Sequence, residues 1–267
     1  MAGRIRFIWH ASVATLFAVL SFFVWRIAYQ WTDWAALALL PFAFVLAYGT
    51  WSLTMESWRA QLHLIVQPKS GLAKLLSGKI RAFFISAVFT LIAITVLAWK
   101  ALDASMLEAL VMCTAFLLSA YVLSVLQIIF SRHFHPPFDR NIAVSVATWL
   151  SAMLVFVVFF VLYWAVKLSP GELFAAENLT DVIGLAQNSL PARSGWVTAL
   201  MSALASYENL KLWLVVQLRD YPVSGVFYSL DAALWAYVLC RSAVVSTHLI
   251  KIKVFGNAMG ERDAQAE

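Results

Sequence analysis

Long apolar runs separated by short polar connectors organise this chain, and inside the runs there is no two-residue alternation of apolar and polar positions. Six of them, residues 7–25, 34–53, 82–99, 106–130, 142–166 and 223–250, approach or exceed the about 20 residues that carry a helix across about 30 Å of hydrocarbon. In lipid, every backbone N–H and C=O must be bonded within its own segment or around a closed barrel, and continuous apolarity selects the helix. The pattern predicts an all-α integral membrane protein: a bundle of six transmembrane helices with an amphipathic external segment between spans 5 and 6.

Three regions follow. Residues 1–166 form a five-span bundle with a cytoplasmic interfacial loop at 55–81, residues 167–222 form the external helical segment, and residues 223–267 hold the sixth span and a short tail. In the loop, Met55, Trp58, Leu62, Ile65 and Val66 share one helical face, which predicts an interfacial helix ended by Pro68. In the external segment, Ser169, Pro170 and Glu172 have the pattern of a helix start, and Trp196 opens a second helix on which Val197, Leu200, Met201 and Leu204 recur at helical spacing. A rival topology makes 196–218 a seventh span. It places Glu208 and Lys211 near mid-bilayer at about 2.5–3.5 kcal/mol each, partly offset by their i, i+3 spacing, and it exports Lys251 and Lys253.

Basic residues set the expected orientation. Arg4, Arg6, Arg59, Lys69, Lys74, Lys79, Arg81, Arg132, Arg140, Lys251, Lys253 and Arg262 fall on one side, against Arg26, Lys100, Lys167, Arg193, Lys211 and Arg219 on the other. Cytoplasmic loops retain positive charge, so both termini are expected in the cytoplasm. The basic start followed by an apolar run resembles a signal peptide, but the run is too long and no cleavage pattern follows, so it is expected to be retained as the first span. A compact chain without targeting signals points to a bacterial cytoplasmic membrane.

Composition agrees with this reading. The chain is 63% hydrophobic and 12% charged, far from the roughly 45–50% and 25% of soluble domains. Its net charge of +5 is dispersed over connectors and forms no stripe, which argues against nucleic acid as a partner. Twelve tryptophans, Trp25, Trp34, Trp99 and Trp164 among them, gather near span ends as an aromatic belt. Cys113 and Cys240 both fall within spans, where they read as packing residues.

Candidate chemistry is sparse. Asp231 and Arg241 are ionisable residues inside the sixth span, where charge is costly and is usually paired or functional. Ten residues separate them, about 15 Å of helical rise, so they do not pair with each other. Asp231 is close enough to the outer boundary to reach water or Lys167, and Arg241 can extend toward the cytoplasmic surface. Arg59, Lys69, Lys74, Lys79 and Arg81 are candidate contacts for lipid headgroups, although a loop that only fixes orientation needs the same charges.

His133, His135 and Asp139 lie in one turn, but their spacing matches no metal set. The chain carries no phosphate-binding loop, no H-E-x-x-H and no nucleophile elbow, so no metal, cofactor or catalytic group is expected. Small residues repeat every four positions at Ala143, Ala147 and Ser151, at Ala232, Ala236 and Cys240, and at Ala115 and Ser119, the device that lets membrane helices approach closely.

The leading functional expectation is a non-enzymatic accessory or scaffold subunit of a membrane complex, with the bilayer and other subunits or further copies of itself as partners. A small transporter or channel with Asp231 and Arg241 lining a polar path is the alternative. Against it, only Pro41 and Gly49 interrupt a span, with no counterpart in a second half. A lipid-modifying enzyme comes third, with Glu172, Asp181 or Glu208 as conceivable acids.

Overall fold

The protein is described by a computed structural model covering residues 2–65, 78–134, 138–166, 178–188, 190–191, 194–218 and 222–252. Its elements are α1 (Ala2–Tyr29), a 3-10 helix (Asp33–Leu39), α2 (Leu40–Ile65), α3 (Lys79–Asp103), α4 (Met106–Ser131), α5 (Phe138–Val166), α6 (Leu179–Asn188), α7 (Trp196–Gln217) and α8 (Pro222–Ile250). No strand occurs among the described residues. Six stretches are long and apolar enough to cross a membrane: Trp9–Tyr29, Asp33–Arg59, Lys79–Asp103, Met106–Ser131, Phe138–Val161 and Ser229–Ile250. They correspond one to one with the six runs read from the sequence.

The last of them is the axis of the bundle. Its apolar window is 72% buried, against 28–39% in the other five, because α8 packs on α5, α4, α2 and α1 at once. Small residues make this possible. Ala143, Ala147 and Ser151 on α5, Ala232, Ala236 and Cys240 on α8, and Ala115 and Ser119 on α4 are all buried where these three helices meet. Neither cysteine forms a disulfide. Larger side chains fill the gaps: Phe42, Leu46, Leu97, Phe116, Leu123 and Phe159 pack around Trp235, Leu239 and Val244.

Several hydroxyl side chains in these helices bond back to their own backbone. Thr15, Ser21, Thr148, Ser242 and Thr247 each donate to the carbonyl four residues earlier, which spares the helix from placing a free hydroxyl in an apolar setting. The Ser86 hydroxyl instead bonds across to the Ala47 carbonyl, joining α3 to α2.

Three expectations need correction. The residues from Met55 to Ile65 do not form a separate interfacial helix, because α2 runs unbroken from Leu40 to Ile65. Nothing between Leu53 and Met55 breaks a helix, and the Thr54 hydroxyl bonds back to the Thr50 carbonyl at 2.8 Å without interrupting the ladder. The 55–81 loop therefore shrinks to what lies between α2 and α3, and Pro68 is outside the described residues. Pro41 and Gly49 do not interrupt the second span. Pro41 occupies the first turn of α2, where its missing N–H costs nothing, and Gly49 admits α8: a Cβ there would lie 2.6 Å from Val245 Cγ1.

The third correction concerns the face of α7. Val197, Met201, Ala205, Glu208, Leu212 and Val215 are buried, whereas Leu200 turns outward. This face lies across the end of the bundle away from Arg59 and Arg81, against the 3-10 helix, the last turns of α3, α6 and the first half of α8. Trp25, Tyr29, Leu39, Trp99 and Ala186 complete that secondary core, with the Trp25 indole donating to the Ala98 carbonyl at 3.1 Å. α7 is a cap on the bundle, and it is not among the six helices apolar enough to span.

Candidate functional site

Two groups of ionisable residues stand at opposite ends of α8. At the first end, the sequence places a lysine in the last turn of α3 and an acid and a lysine three residues apart on α7. Lys100 Nζ lies 2.8 Å from Glu208 Oε1, and Lys211 Nζ lies 2.8 Å from Glu208 Oε2 and 2.5 Å from Asp231 Oδ2. Two cations and two carboxylates thus alternate in one chain. Lys100 also stacks over the Trp235 ring at 5.3 Å from its centroid.

The group is almost closed to solvent. The side chains of Lys100, Glu208 and Lys211 are 3%, 9% and 11% exposed, and only Asp231, at 27%, reaches water. The void among Glu208, Lys211, Asp231, Phe159 and Trp235 measures about 10 Å³, at the lower limit for one water molecule. Burial opposes ionisation of Glu208, but Lys100 and Lys211 outweigh it and hold its carboxyl at about 2, below the ordinary 4.5.

Local structure delivers each partner. The turn between α3 and α4 is two residues long and is fixed by a capping box: Ser105 accepts from the Glu108 N–H at 3.3 Å while Glu108 accepts from the Ser105 N–H at 2.7 Å. Arg26 donates to the Ala104 carbonyl at 3.0 Å, tying α1 to the same turn. The start of α7 is held by Asp33, whose carboxylate accepts from the Val197 N–H at 3.3 Å, an N-terminal cap supplied from 164 residues away. Gly195 makes this approach possible, since a Cβ there would lie 2.1 Å from Asp33 Oδ2.

The other end of α8 is built differently. Leu53, Thr54, Ser57, Trp58 and Gln61 of α2, Gly78 and Arg81 at the start of α3, Asn141, Val144 and Ser145 of α5, and Arg241 of α8 line a cavity of about 290 Å³. That is close to the lower end of the about 300–1,000 Å³ common for small-molecule sites. Arg81 lies over the Trp58 ring, 5.1 Å from its centroid. Gly78 is required beneath it: its φ of 69° is left-handed, and a Cβ would stand 2.3 Å from the Trp58 ring. No Asp or Glu lines the cavity. Among the described residues, neither arginine has a carboxylate within ion-pair distance.

At the end of α8, Lys251 donates to Gln127 Oε1 at 2.6 Å, and Gln127 Nε2 meets His248 Nδ1 at 3.2 Å. Burial and then the neighbouring Arg140 push Lys251 below its ordinary lysine value.

Of the residues singled out in the sequence, Asp231 and Arg241 thus belong to different sites. Asp231 meets Lys211, while Lys167 lies outside the described residues. Arg81 joins Arg241 at one cavity and, like Arg59 and Lys79 on the same end, is exposed; Lys69 and Lys74 lie outside the described residues. Lys100, Trp58, Gln61 and Asn141 were not foreseen. Lys100 had a signal, a cation ending an apolar run and facing an acid-bearing segment. The neutral residues had none.

No group of three or more His, Cys, Asp or Glu that could hold a metal occurs among the described residues, and His135 lies outside them. No family model, curated protein or solved structure matches this chain. Its class is therefore defined by its own features: an all-helical protein with six helices long and apolar enough to cross a membrane.

Proposed function

We propose that this chain is a non-enzymatic accessory or scaffold component of a membrane complex, spanning a prokaryotic cytoplasmic membrane six times with both termini in the cytoplasm. One observation carries the reading. Between Asp231 and Arg241, α8 contributes Trp235, Ala236, Val238, Leu239 and Cys240 to a close-packed core, so the two ionisable residues are separated by apolar packing. The charges at the Asp231 end are occupied with one another. What the bundle offers to other molecules is its surface, where Met153, Leu154, Val157, Val158 and Val161 of α5 form an exposed apolar strip suited to lipid or to another subunit.

The transporter reading retains one supporting feature, the polar cavity at Arg241, and the enzyme reading has less: Asp181 is exposed, Glu208 is ion-paired, and Glu172 lies outside the described residues. Purification from the native membrane in mild detergent tests the proposal. A defined assembly, either with other membrane proteins or with further copies of the chain, is the expected result. A lone monomer that brings nothing with it refutes the proposal. Flux into proteoliposomes that is lost on replacing Asp231 and Arg241 by alanine would instead establish the transporter.

A further inference from the structure

The ion-paired end of α8 shows how this fold handles charge inside the bundle: each cation has a carboxylate within 2.8 Å. Arg241 breaks that pattern. It stands on the most buried helix, flanked by fully buried Cys240 and Ser242, and no carboxylate lines its cavity. A permanently charged guanidinium at such a place costs about 2.5–3.5 kcal/mol on insertion scales unless an anion meets it. The groups around it are suited to one. Arg81 stands in the same cavity, and Gln61, Asn141, Ser57 and Ser145 add amide and hydroxyl donors.

We propose that the cavity between Arg81 and Arg241 binds the phosphate of an anionic phospholipid headgroup. The planar fork of a guanidinium presents paired N–H donors that match two oxygens of one phosphate, and two arginines lining one cavity favour a phosphate over a simple carboxylate. Size agrees: about 290 Å³ exceeds a single phosphate and accommodates a small polar headgroup with it. Location agrees as well, because the cavity lies at the end where Arg59, Lys79, Arg132 and Arg140 also gather, and basic pockets between spans at a cation-rich membrane face are suited to acidic headgroups. Trp58 holds Arg81 by its ring, and Gly78 leaves the ring its room, so the mouth of the cavity is preformed. The site is independent of whether the chain acts as a scaffold.

The full chain in detergent, titrated with phosphatidylglycerol and observed by native mass spectrometry, tests the proposal. One retained lipid is expected, with phosphatidylcholine binding more weakly because its choline cation repels the arginines. The double variant Arg81→Gln, Arg241→Gln should lose about tenfold or more in affinity. Arg241→Lys, which keeps the charge and loses the fork, should lose part of it. Ser145→Phe, which fills the cavity and spares both arginines, should lose as much as the double variant and guards against a folding defect in it. Arg132→Gln, at the same end but outside the cavity, should bind as the unaltered chain does. Undiminished binding by the double variant and by Ser145→Phe, or an equal loss in Arg132→Gln, overturns the proposal. So does equal affinity for glycerol 3-phosphate, which would give the cavity to a soluble phosphate.

Discussion

The two ends of α8 face the same physical problem and meet it in opposite ways. At Asp231, four ionisable side chains from three helices neutralise one another around a void of about 10 Å³. At Arg241, two arginines and a set of neutral donors surround about 290 Å³ with no acid in the lining. Charge that is internally compensated fixes structure: it holds the α7 cap on the bundle. Charge left uncompensated costs stability until something from outside supplies the counter-charge.

The sharpest test of that difference is to remove one carboxylate from the closed end. Glu208→Gln keeps the shape and removes the acid shared by Lys100 and Lys211, which should cost about 3–5 kcal/mol, the usual penalty for breaking a buried pair from one side. The tryptophan-fluorescence melting midpoint in detergent should fall accordingly. A change of less than about 1 kcal/mol would mean that the network is not a fastener.

The same network should be acid-sensitive. With its carboxyl held at about 2 against an ordinary 4.5, Glu208 stabilises the fold fully above pH 4.5, and this contribution is lost as pH falls through about 2. The loss is about 3 kcal/mol by linkage. Melting curves taken between pH 5 and 2 should show it in the unaltered chain and lack it in Glu208→Gln.

A smaller effect is expected where Asp33 caps α7. Gly195→Ala puts a Cβ into the space of the Asp33 carboxylate and should cost about 1–3 kcal/mol, with hydrogen exchange rising first in the opening turn of α7. An unchanged exchange pattern there would remove Asp33 from the cap.

The smallest effect, and the one of opposite character, belongs to Arg241. Arg241→Met in lipid-free detergent should be neutral within about 1 kcal/mol or stabilising, since an uncompensated charge gives way to an apolar side chain of similar length. A loss as large as that of Glu208→Gln would mean that the two ends do not differ.

Six helices long and apolar enough to span a membrane, their approximate limits and a helix starting at Trp196 were legible in the chain because each depends on neighbours in sequence: a helix satisfies its own backbone, and the length of an apolar run is a local quantity. The small-residue positions were legible for the same reason, since every fourth residue shares a face. Local pattern also misled. The apolar face starting at Met55 resembled a new helix, although no breaking residue separated it from α2. Leu200 matched the helical spacing of Val197 and Met201, yet the packed face continues through Ala205 and Glu208.

Local pattern was enough to establish a chain of apolar helices and to mark which residues on them are small, basic or ionisable. Which of those residues meet was settled by the packing of the helices. Lys100 reaches Glu208 across 108 positions, Asp33 reaches Val197 across 164, and Arg81 and Arg241 come to share a cavity because α2, α3, α5 and α8 converge there. Helix formation is settled over one or two turns of chain. The pairing of charges depends on how whole helices pack, a relation between distant segments that no single stretch of sequence contains.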